Sequence, residues 1–361
     1  MPAHPPMDRT LYLSSTPLHS FFALGLMNGA WQGHAQTLAL VDQHEGARDF
    51  IGEALQASSS NTLHVHRFAA IDSQASGQRV LRAVSELSGA VRPSTIAVGN
   101  DCRLEFYAAI RGCPGARRVY IDDGLYSYVP HRNAKAGWRE AISDWRRSVK
   151  YGLPLERPSL VGGSRAVQQA YVLLPQQVHD GLARKLIEAI QPAWFADTAT
   201  RNICIAAAAL AGVDAVRCGA LQWLLLLPHP QFLVNGSPWA AQLGSLAAAR
   251  AACGETVAIK PHPAAHRMPL REMLPGLPAS VVELPARLPV EVLLPLLSAT
   301  QIVGAMTTSL LTLRLLGQGL TVYTLPSSTQ QPARSADERR VAAICESVGI
   351  KPLIAVPERS R

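Results

Sequence analysis

Short apolar segments alternate with longer helix-like segments along the whole chain, and this alternation constrains the fold more than any other feature. Segments 37–41 and 95–98 are short and apolar, whereas 78–88 has the spacing of an amphipathic helix. Strands that alternate with helices are typical of α/β proteins with parallel sheets. The sequence therefore predicts an α/β fold.

The alternation occurs in two successive runs. The strands predicted in the first run are 11–14, 37–41, 63–68, 95–98, 118–121 and 170–174. Those predicted in the second run are 224–227, 256–260, 281–284, 301–303 and 320–324, the last strand, with a helix over 290–298. Segment 176–219 is predicted to be helical and to contain the connection. We predict two Rossmann-like domains, 8–215 and 216–355, facing each other across a cleft in the GT-B arrangement.

The net charge and the composition narrow the classes of partner and the cellular location that we expect for this chain. The net charge of +8 favours an acidic partner, such as a nucleotide sugar, an anionic glycan, an anionic membrane surface or a nucleic acid. The six cysteines form no CxxC pair, which argues against a zinc site or a disulfide framework. No apolar run approaches the roughly 18 residues of a membrane span, and residues 1–6 do not resemble a signal peptide. We therefore expect a cytoplasmic protein, at most resting on the inner face of the inner membrane.

Polar residues follow several predicted strands directly. In open α/β sheets, ligands bind beyond the carboxyl ends of the strands. The residues at such ends are Asp101, Asp122, Asp123, His262, Thr308 and Ser309. This placement predicts a catalytic site in the cleft between the two domains.

Asp122-Asp123-Gly124 follows the strand predicted over 118–121. A carboxylate at a cleft edge is suited to removing a proton from a hydroxyl, and a like-charged neighbour can raise its pKa. Two alternatives remain open on spacing alone: an ordinary polar turn, or a magnesium ligand pair.

Lys260-Pro261-His262-Pro263 follows another predicted strand. A histidine held between prolines could donate a hydrogen bond or a proton to a leaving phosphate, and Lys260 adds positive charge. The alternative is a structural proline turn. A second such sequence, Pro228-His229-Pro230, is predicted to be a turn that lines the cleft at most.

Three strand-to-helix junctions carry small polar residues. Segment 304–309 offers backbone N–H groups and hydroxyls that suit a phosphate, although capping by Thr307 or Thr308 would explain them equally well. The same alternative applies to the junction at 15–19. It also applies to the junction at 99–103, which the functional interpretation assigns to the acceptor side of the cleft.

Aromatic and basic residues are interleaved from 126 to 151. Such a stretch could bind an anionic glycan or a lipid headgroup. A nucleic-acid surface would look similar, but no nucleic-acid-binding motif accompanies it, so we expect no nucleic-acid partner.

Taken together, the motifs resemble those of bacterial lipooligosaccharide sialyltransferases and capsular polysialyltransferases. The matching motifs are Asp122-Asp123-Gly124, His262-Pro263 and Thr308-Ser309, in the same order. The Ser-Thr-Pro-Leu-His sequence at 15–19 is similar to the start of these families, and 284–291 is similar to the segment before their last phosphate-binding helix. The resemblance spans most of the chain.

The resemblance implies transfer of sialic acid, or a related nonulosonate, from a CMP-sugar to lipooligosaccharide or capsule, with inversion and without a metal or cofactor. Asp122 or Asp123 would take the acceptor proton, and His262 would assist departure of the phosphate. The residues assigned to donor binding are Lys260, Pro263, Thr307, Thr308, Ser309, Ser15 and Thr16. Those assigned to the acceptor side are Asn100, Asp101 and Arg103.

The partners implied are a CMP-sugar donor, an anionic glycan or glycolipid acceptor, and a peripherally contacted membrane. Two alternatives stay open: a GT-B transferase that uses a UDP- or GDP-sugar, and a non-catalytic glycan-binding protein of capsule assembly.

Overall fold

The computed structural model describes residues 8–44, 48–58, 62–129, 138–153, 155–156, 158, 160–233, 238–298, 300–305, 307–325 and 336–353, with the side chains of 138–141 excepted. The chain divides into two compact units, Met1–Ile203 and Cys204–Arg361. The division falls inside a helix, Thr198–Leu210, whereas the sequence placed it between residues 215 and 216.

The first unit is a doubly wound α/β unit whose strands are all parallel. Its strands are β1 (Arg9–Ser14), β2 (Ala35–Gln43), β3 (Leu63–Ala69), β4 (Thr95–Val98), β5 (Arg117–Ile121), β6 (Gln169–Val172) and β7 (Leu186–Ala189). They lie in the order β3-β2-β1-β4-β5-β6-β7. Its helices are α1 (Pro17–Asn28), α2 (Phe50–Ala57), α3 (Gln74–Val91), α4 (Leu104–Gly112), α5 (Trp138–Tyr151), α6 (Asp180–Ala183), α7 (Ala193–Ala196) and α8 (Thr198–Leu210), which continues into the second unit.

The second unit repeats this plan with a parallel sheet in the order β10-β9-β8-β11-β12-β13. Its strands are β8 (Trp223–Leu226), β9 (Val257–Lys260), β10 (Val282–Glu283), β11 (Gln301–Gly304), β12 (Thr321–Thr324) and β13 (Lys351–Pro352). Its helices are α9 (Ala215–Gly219), α10 (Pro238–Ala252), α11 (Leu270–Met273), α12 (Thr308–Leu316) and α13 (Ala336–Ser347).

Burial explains why the central strands were recognisable. Every residue of β8 is buried, because helices cover both faces of a parallel sheet, and the strand is accordingly a continuous apolar run. In α3 the buried residues are Gly77, Leu81, Val84 and Ser88, which form one stripe along a helix of 3.6 residues per turn. The exposed positions of α3 include the polar residues Gln78, Arg79, Arg82 and Glu86.

Three predictions about elements were wrong. Segment 176–219 is not helical throughout, because it contains β7, a half-exposed edge strand with no apolar run. The helix predicted over 290–298 is one short 3₁₀ turn, Val290–Leu293, since Pro295 lacks an amide hydrogen and restricts the residue before it. Strand β12 is not the last, because β13 pairs with it.

Among the described residues, no helix is long and apolar enough to cross a membrane.

The contact between α3 and α4 gives a test of the first unit. A Cβ atom at Gly112 would lie 2.1 Å from the Ser85 carbonyl oxygen, whereas a Cβ at Gly115 would meet nothing within 4 Å. We therefore expect Gly112→Ala to lower the free energy of unfolding by about 1–3 kcal/mol, because the helices must separate. The matched change Gly115→Ala should stay within about 0.5 kcal/mol in the same denaturant titration. Equal effects would contradict this packing.

Candidate functional site

Each sheet has a point at which the direction of strand addition reverses. In the first sheet it lies between β1 and β4, and in the second between β8 and β11. Ligands of open α/β sheets bind beyond the carboxyl ends of the strands at such points. The loops that leave these four strands include the polar junctions identified from the sequence, so each unit offers one candidate site.

In the first unit, a histidine and an aspartate are joined across three strands. His19, in the first turns of α1, places its Nε2 atom 2.8 Å from Oδ1 of Asp123, which follows β5. The imidazole is buried, whereas the Asp123 side chain keeps 12 % of its surface exposed. Nδ1 of His19 lies 3.2 Å from the Ser15 hydroxyl. With its Nε2 proton donated to Asp123, the ring accepts from Ser15 and fixes the orientation of the carboxylate.

A glycine makes this contact sterically feasible. Strand β4 lies between β1 and β5, so the His19 ring must pass over the end of β4 to reach Asp123. A Cβ atom on Gly99, the residue after β4, would lie 2.2 Å from Cδ2 of His19. The absence of a side chain at Gly99 therefore provides the space for the ring.

The neighbouring carboxylate, Asp122, is turned into the fold. It is completely buried and accepts hydrogen bonds from the Gly124 N–H at 2.8 Å, the Ser127 hydroxyl at 2.6 Å, the Leu173 N–H at 2.8 Å and the Tyr128 hydroxyl. Burial raises the pKa of Asp122 to about 6, and these hydrogen bonds oppose the rise. Asp122 thus joins the turn after β5 to the end of β6.

The predicted acceptor-side residues are also engaged within the first unit. Asp101 is fully buried, where it accepts from the N–H groups of Gly162 and Ser164 at 2.7 and 2.8 Å. Burial raises the pKa of Asp101 to about 6. Asn100 accepts from the N–H of Cys102, and Arg103 forms an ion pair with Asp42.

In the second unit, two histidines lie side by side. His229 follows β8 and His262 follows β9, the neighbouring strand, and their ring centroids are 4.9 Å apart. Each Nδ1 atom accepts a backbone N–H from two residues ahead, at 3.3 Å for Gln231 and 3.1 Å for Ala264. The proton of each neutral ring is therefore on Nε2. The two Pro-His-Pro turns thus provide a pair of N–H donors.

The ammonium group of Lys260, the positive charge beside the two histidines, is fixed by hydrogen bonds to the backbone. The Lys260 ammonium is buried and donates to the carbonyls of Pro261 and Ala286, both at 2.8 Å, and burial lowers the pKa of Lys260 to about 8. Burial, followed by His229 and Lys260, lowers the pKa of His262 to about 4. An anion placed against His262 would reverse this effect, because an opposite charge favours the protonated ring.

Thr307, one of the two residues that the sequence offers as a cap, does not cap the start of α12 with its side chain. Thr307 has the extended conformation of an N-cap, but its side chain makes no capping hydrogen bond. Its Oγ1 atom is buried and has no partner among the described residues. N–H groups at the start of a helix can bind an anion where no side chain caps them. Strand β11 is adjacent to β8, so this helix start and the loop of His229 leave neighbouring strands.

The predicted residues thus fall into two groups. In the first unit, the Ser15 hydroxyl contacts His19, which contacts Asp123, and Thr16 caps α1 through the His19 N–H. In the second unit, Thr307, Thr308 and Ser309 follow the strand next to β8. Pro263 begins the 3₁₀ turn after His262. Met306 lies outside the described residues.

The sequence assigned no catalytic or binding role to His19, and it predicted His229 as part of a turn that lines the cleft at most. The signal for His229 was present, because a second Pro-His-Pro follows the preceding strand of the same domain. His19 gave no comparable signal, since its partner lies 104 positions away. No group of three or more His, Cys, Asp or Glu side chains in the described part of the chain could hold a metal ion.

Comparisons with known proteins extend the description of the fold. No protein-family model and no curated protein matches the chain. A solved UDP-N-acetylglucosamine 2-epimerase of Neisseria meningitidis, bound to UDP-GlcNAc, superposes with a TM-score of 0.50 at 12 % identity over 96 % of this chain and 87 % of that one. A Listeria monocytogenes protein assigned as the same epimerase gives a TM-score of 0.51 at 12 % identity over 95 % and 88 %. The predicted GT-B class, with two parallel α/β sheets, is confirmed.

Because Asp122 and Asp123 have different environments, we expect the same substitution, aspartate to asparagine, to change stability differently at the two positions. In Asp122→Asn, the new side-chain NH₂ group would face N–H and O–H groups that also donate, so hydrogen bonds would be lost. We therefore expect the free energy of unfolding to fall by about 2–4 kcal/mol. In Asp123→Asn, the amide oxygen can still accept from His19, so the loss should be about 1 kcal/mol or less. Denaturant titration of both variants near neutral pH measures this. A larger loss in Asp123→Asn would reverse the assignment of the two carboxylates.

Proposed function

We propose that the chain is a glycosyltransferase that moves sialic acid, or a related nonulosonate, from a CMP-sugar to a cell-surface glycan such as lipooligosaccharide or capsule. The observation that carries this proposal is the anion site of the second unit. Two imidazole N–H donors leave neighbouring strands there, and an uncapped helix start leaves the next strand.

This site suits a single phosphate that gains charge as the sugar departs. The phosphate of a CMP-sugar carries one negative charge, and released CMP carries a second. Hydrogen-bond donors already aimed at that position stabilise the developing charge, because they do not have to reorganise. His262 is neutral when the site is empty, since its pKa is lowered to about 4 by burial and by His229 and Lys260. An incoming phosphate would accept a hydrogen bond from the Nε2 N–H of the neutral ring, and this donor would stabilise the charge that develops on the phosphate as the sugar departs.

The first unit would provide the base. The Asp123 carboxylate is partly exposed and oriented by His19, so it can accept the proton of an acceptor hydroxyl. Asp122 would act as a positioning residue, because its hydrogen bonds hold the turn that carries Asp123. Ser15, at the far side of the imidazole, would fix the ring. This mechanism needs no metal ion, and inversion follows from direct attack of the acceptor on the donor sugar.

The acceptor would be anionic. The chain carries a net charge of +8, and a positive field raises the local concentration of an acidic glycan. The motifs at Asp122-Asp123-Gly124, His262-Pro263 and Thr308-Ser309 support the sialyltransferase assignment by their order along the chain.

A UDP-sugar is the second candidate donor. It is favoured by the similarity of the fold to an epimerase that was solved with UDP-GlcNAc. A UDP-sugar has two phosphates, so it would need anion contacts beyond the imidazole pair.

A donor screen tests the proposal. We expect CMP release from CMP-sialic acid in the presence of a chelator, and no nucleotide release from UDP- or GDP-sugars. His262→Gln should lower kcat by about 10²–10³-fold and Asp123→Asn by about 10²–10⁴-fold. His266→Gln is the matched control, because His266 is exposed and lies four positions from His262. It should leave kcat unchanged.

Release of UDP but not CMP would support the second candidate. No turnover of any donor, together with binding of an anionic glycan, would replace both with a non-catalytic role.

A further inference from the structure

Helix α5 presents its apolar side to solvent. At roughly 100° per residue, Ile142, Trp145 and Val149 point within about 60° of one another. Trp145 and Val149 are each 65 % exposed, and Ile142 is 39 % exposed. An ordinary surface helix buries such a stripe against its own core. Here the three residues form one exposed apolar stripe.

The side of α5 that faces the unit is the more polar one. Tyr151 packs against α3, where a Cβ atom at Gly77 would lie 2.8 Å from its ring. Arg147 and Tyr151 line a surface depression together with Asp42 and Arg103. These contacts keep the opposite side of α5, with the apolar stripe, directed away from the unit.

Basic residues border the stripe. Arg146 and Lys150 are exposed and follow Trp145 and Val149 by one residue, so they form a second, parallel row roughly 100° further around the helix. The Lys150 ammonium lies 5.2 Å from the centroid of the Tyr151 ring. The chain as a whole carries a net charge of +8. A row of cations beside an apolar stripe that contains tryptophan is the pattern of a helix that lies in a membrane interface.

We propose that α5 docks the protein on an anionic lipid bilayer, with Ile142, Trp145 and Val149 at the headgroup–acyl boundary and Arg146 and Lys150 on the headgroups. Charge complementarity selects this occupant, because the cations match an anionic leaflet. An anionic glycan would match the cations but would leave the aliphatic side chains in water. Long basic side chains can also reach headgroup level while their stems cover apolar surface. This inference goes beyond the proposed transfer reaction and does not depend on it.

The test is cosedimentation of the full chain with vesicles in the absence of any donor sugar. We expect binding to mixed phosphatidylcholine–phosphatidylglycerol vesicles at about 0.1 M salt, and much weaker binding to pure phosphatidylcholine or at about 1 M salt, where charges are screened within about 3 Å. Trp145→Ser/Val149→Ser should weaken binding by more than about tenfold. Arg146→Gln/Lys150→Gln should weaken it by roughly 25-fold, at about fivefold per cation.

A matched control comes from α9, where Val216 and Arg217 are both exposed. Val216→Ser/Arg217→Gln removes one apolar and one basic residue and should leave vesicle binding unchanged. Circular dichroism of each variant reports whether the fold is retained. The salt and lipid dependence of the unaltered chain test the proposal even if a variant misfolds.

Two results would overturn the proposal. One is a lack of binding of the unaltered chain to the anionic vesicles. The other is a folded Trp145→Ser/Val149→Ser variant that binds vesicles like the unaltered chain. If that variant instead converts a dimer to a monomer, and no lipid is bound, the stripe is an interface with a second copy.

Discussion

All strands of a parallel sheet end at the same edge. In each unit, this constraint determines where the candidate functional residues lie. The loops after β1, β4 and β5 start side by side, so residues distant in sequence can share one hydrogen bond, as His19 and Asp123 do. The same constraint places His229 beside His262 in the second unit. Both contacts follow from the order of the strands in the sheet, which brings the loops after those strands together.

The two units use that edge for opposite chemistry. The first places carboxylates at it, with one buried and fully hydrogen-bonded and the other partly exposed. The second places imidazole N–H groups and an uncapped helix start there, which are donors and favour an anion. In the proposed transfer reaction, the carboxylate would accept a proton and the donors would stabilise the leaving phosphate. The buried Lys260 supports the loop through its hydrogen bonds to the carbonyls of Pro261 and Ala286.

The sequence predicted the central parts of both sheets well, because strands such as β8 and β9 are buried on both sides and therefore read as apolar runs. It failed at the edges, where β7 is half exposed and has no such run. The motif residues were placed correctly at strand ends, but their roles depend on burial. Asp122 and Asp123 are indistinguishable by spacing, and only the hydrogen bonds of Asp122 separate them. The crossing of His19 over Gly99 is a long-range contact that no local pattern encodes.

A crystal structure of the protein with CMP tests the central claim most directly. We expect the phosphate to lie within hydrogen-bond distance of Nε2 of His262 and of His229, with its remaining oxygens toward the first N–H groups of α12. A phosphate bound elsewhere, with Nε2 of neither imidazole in contact with it, would contradict this proposal.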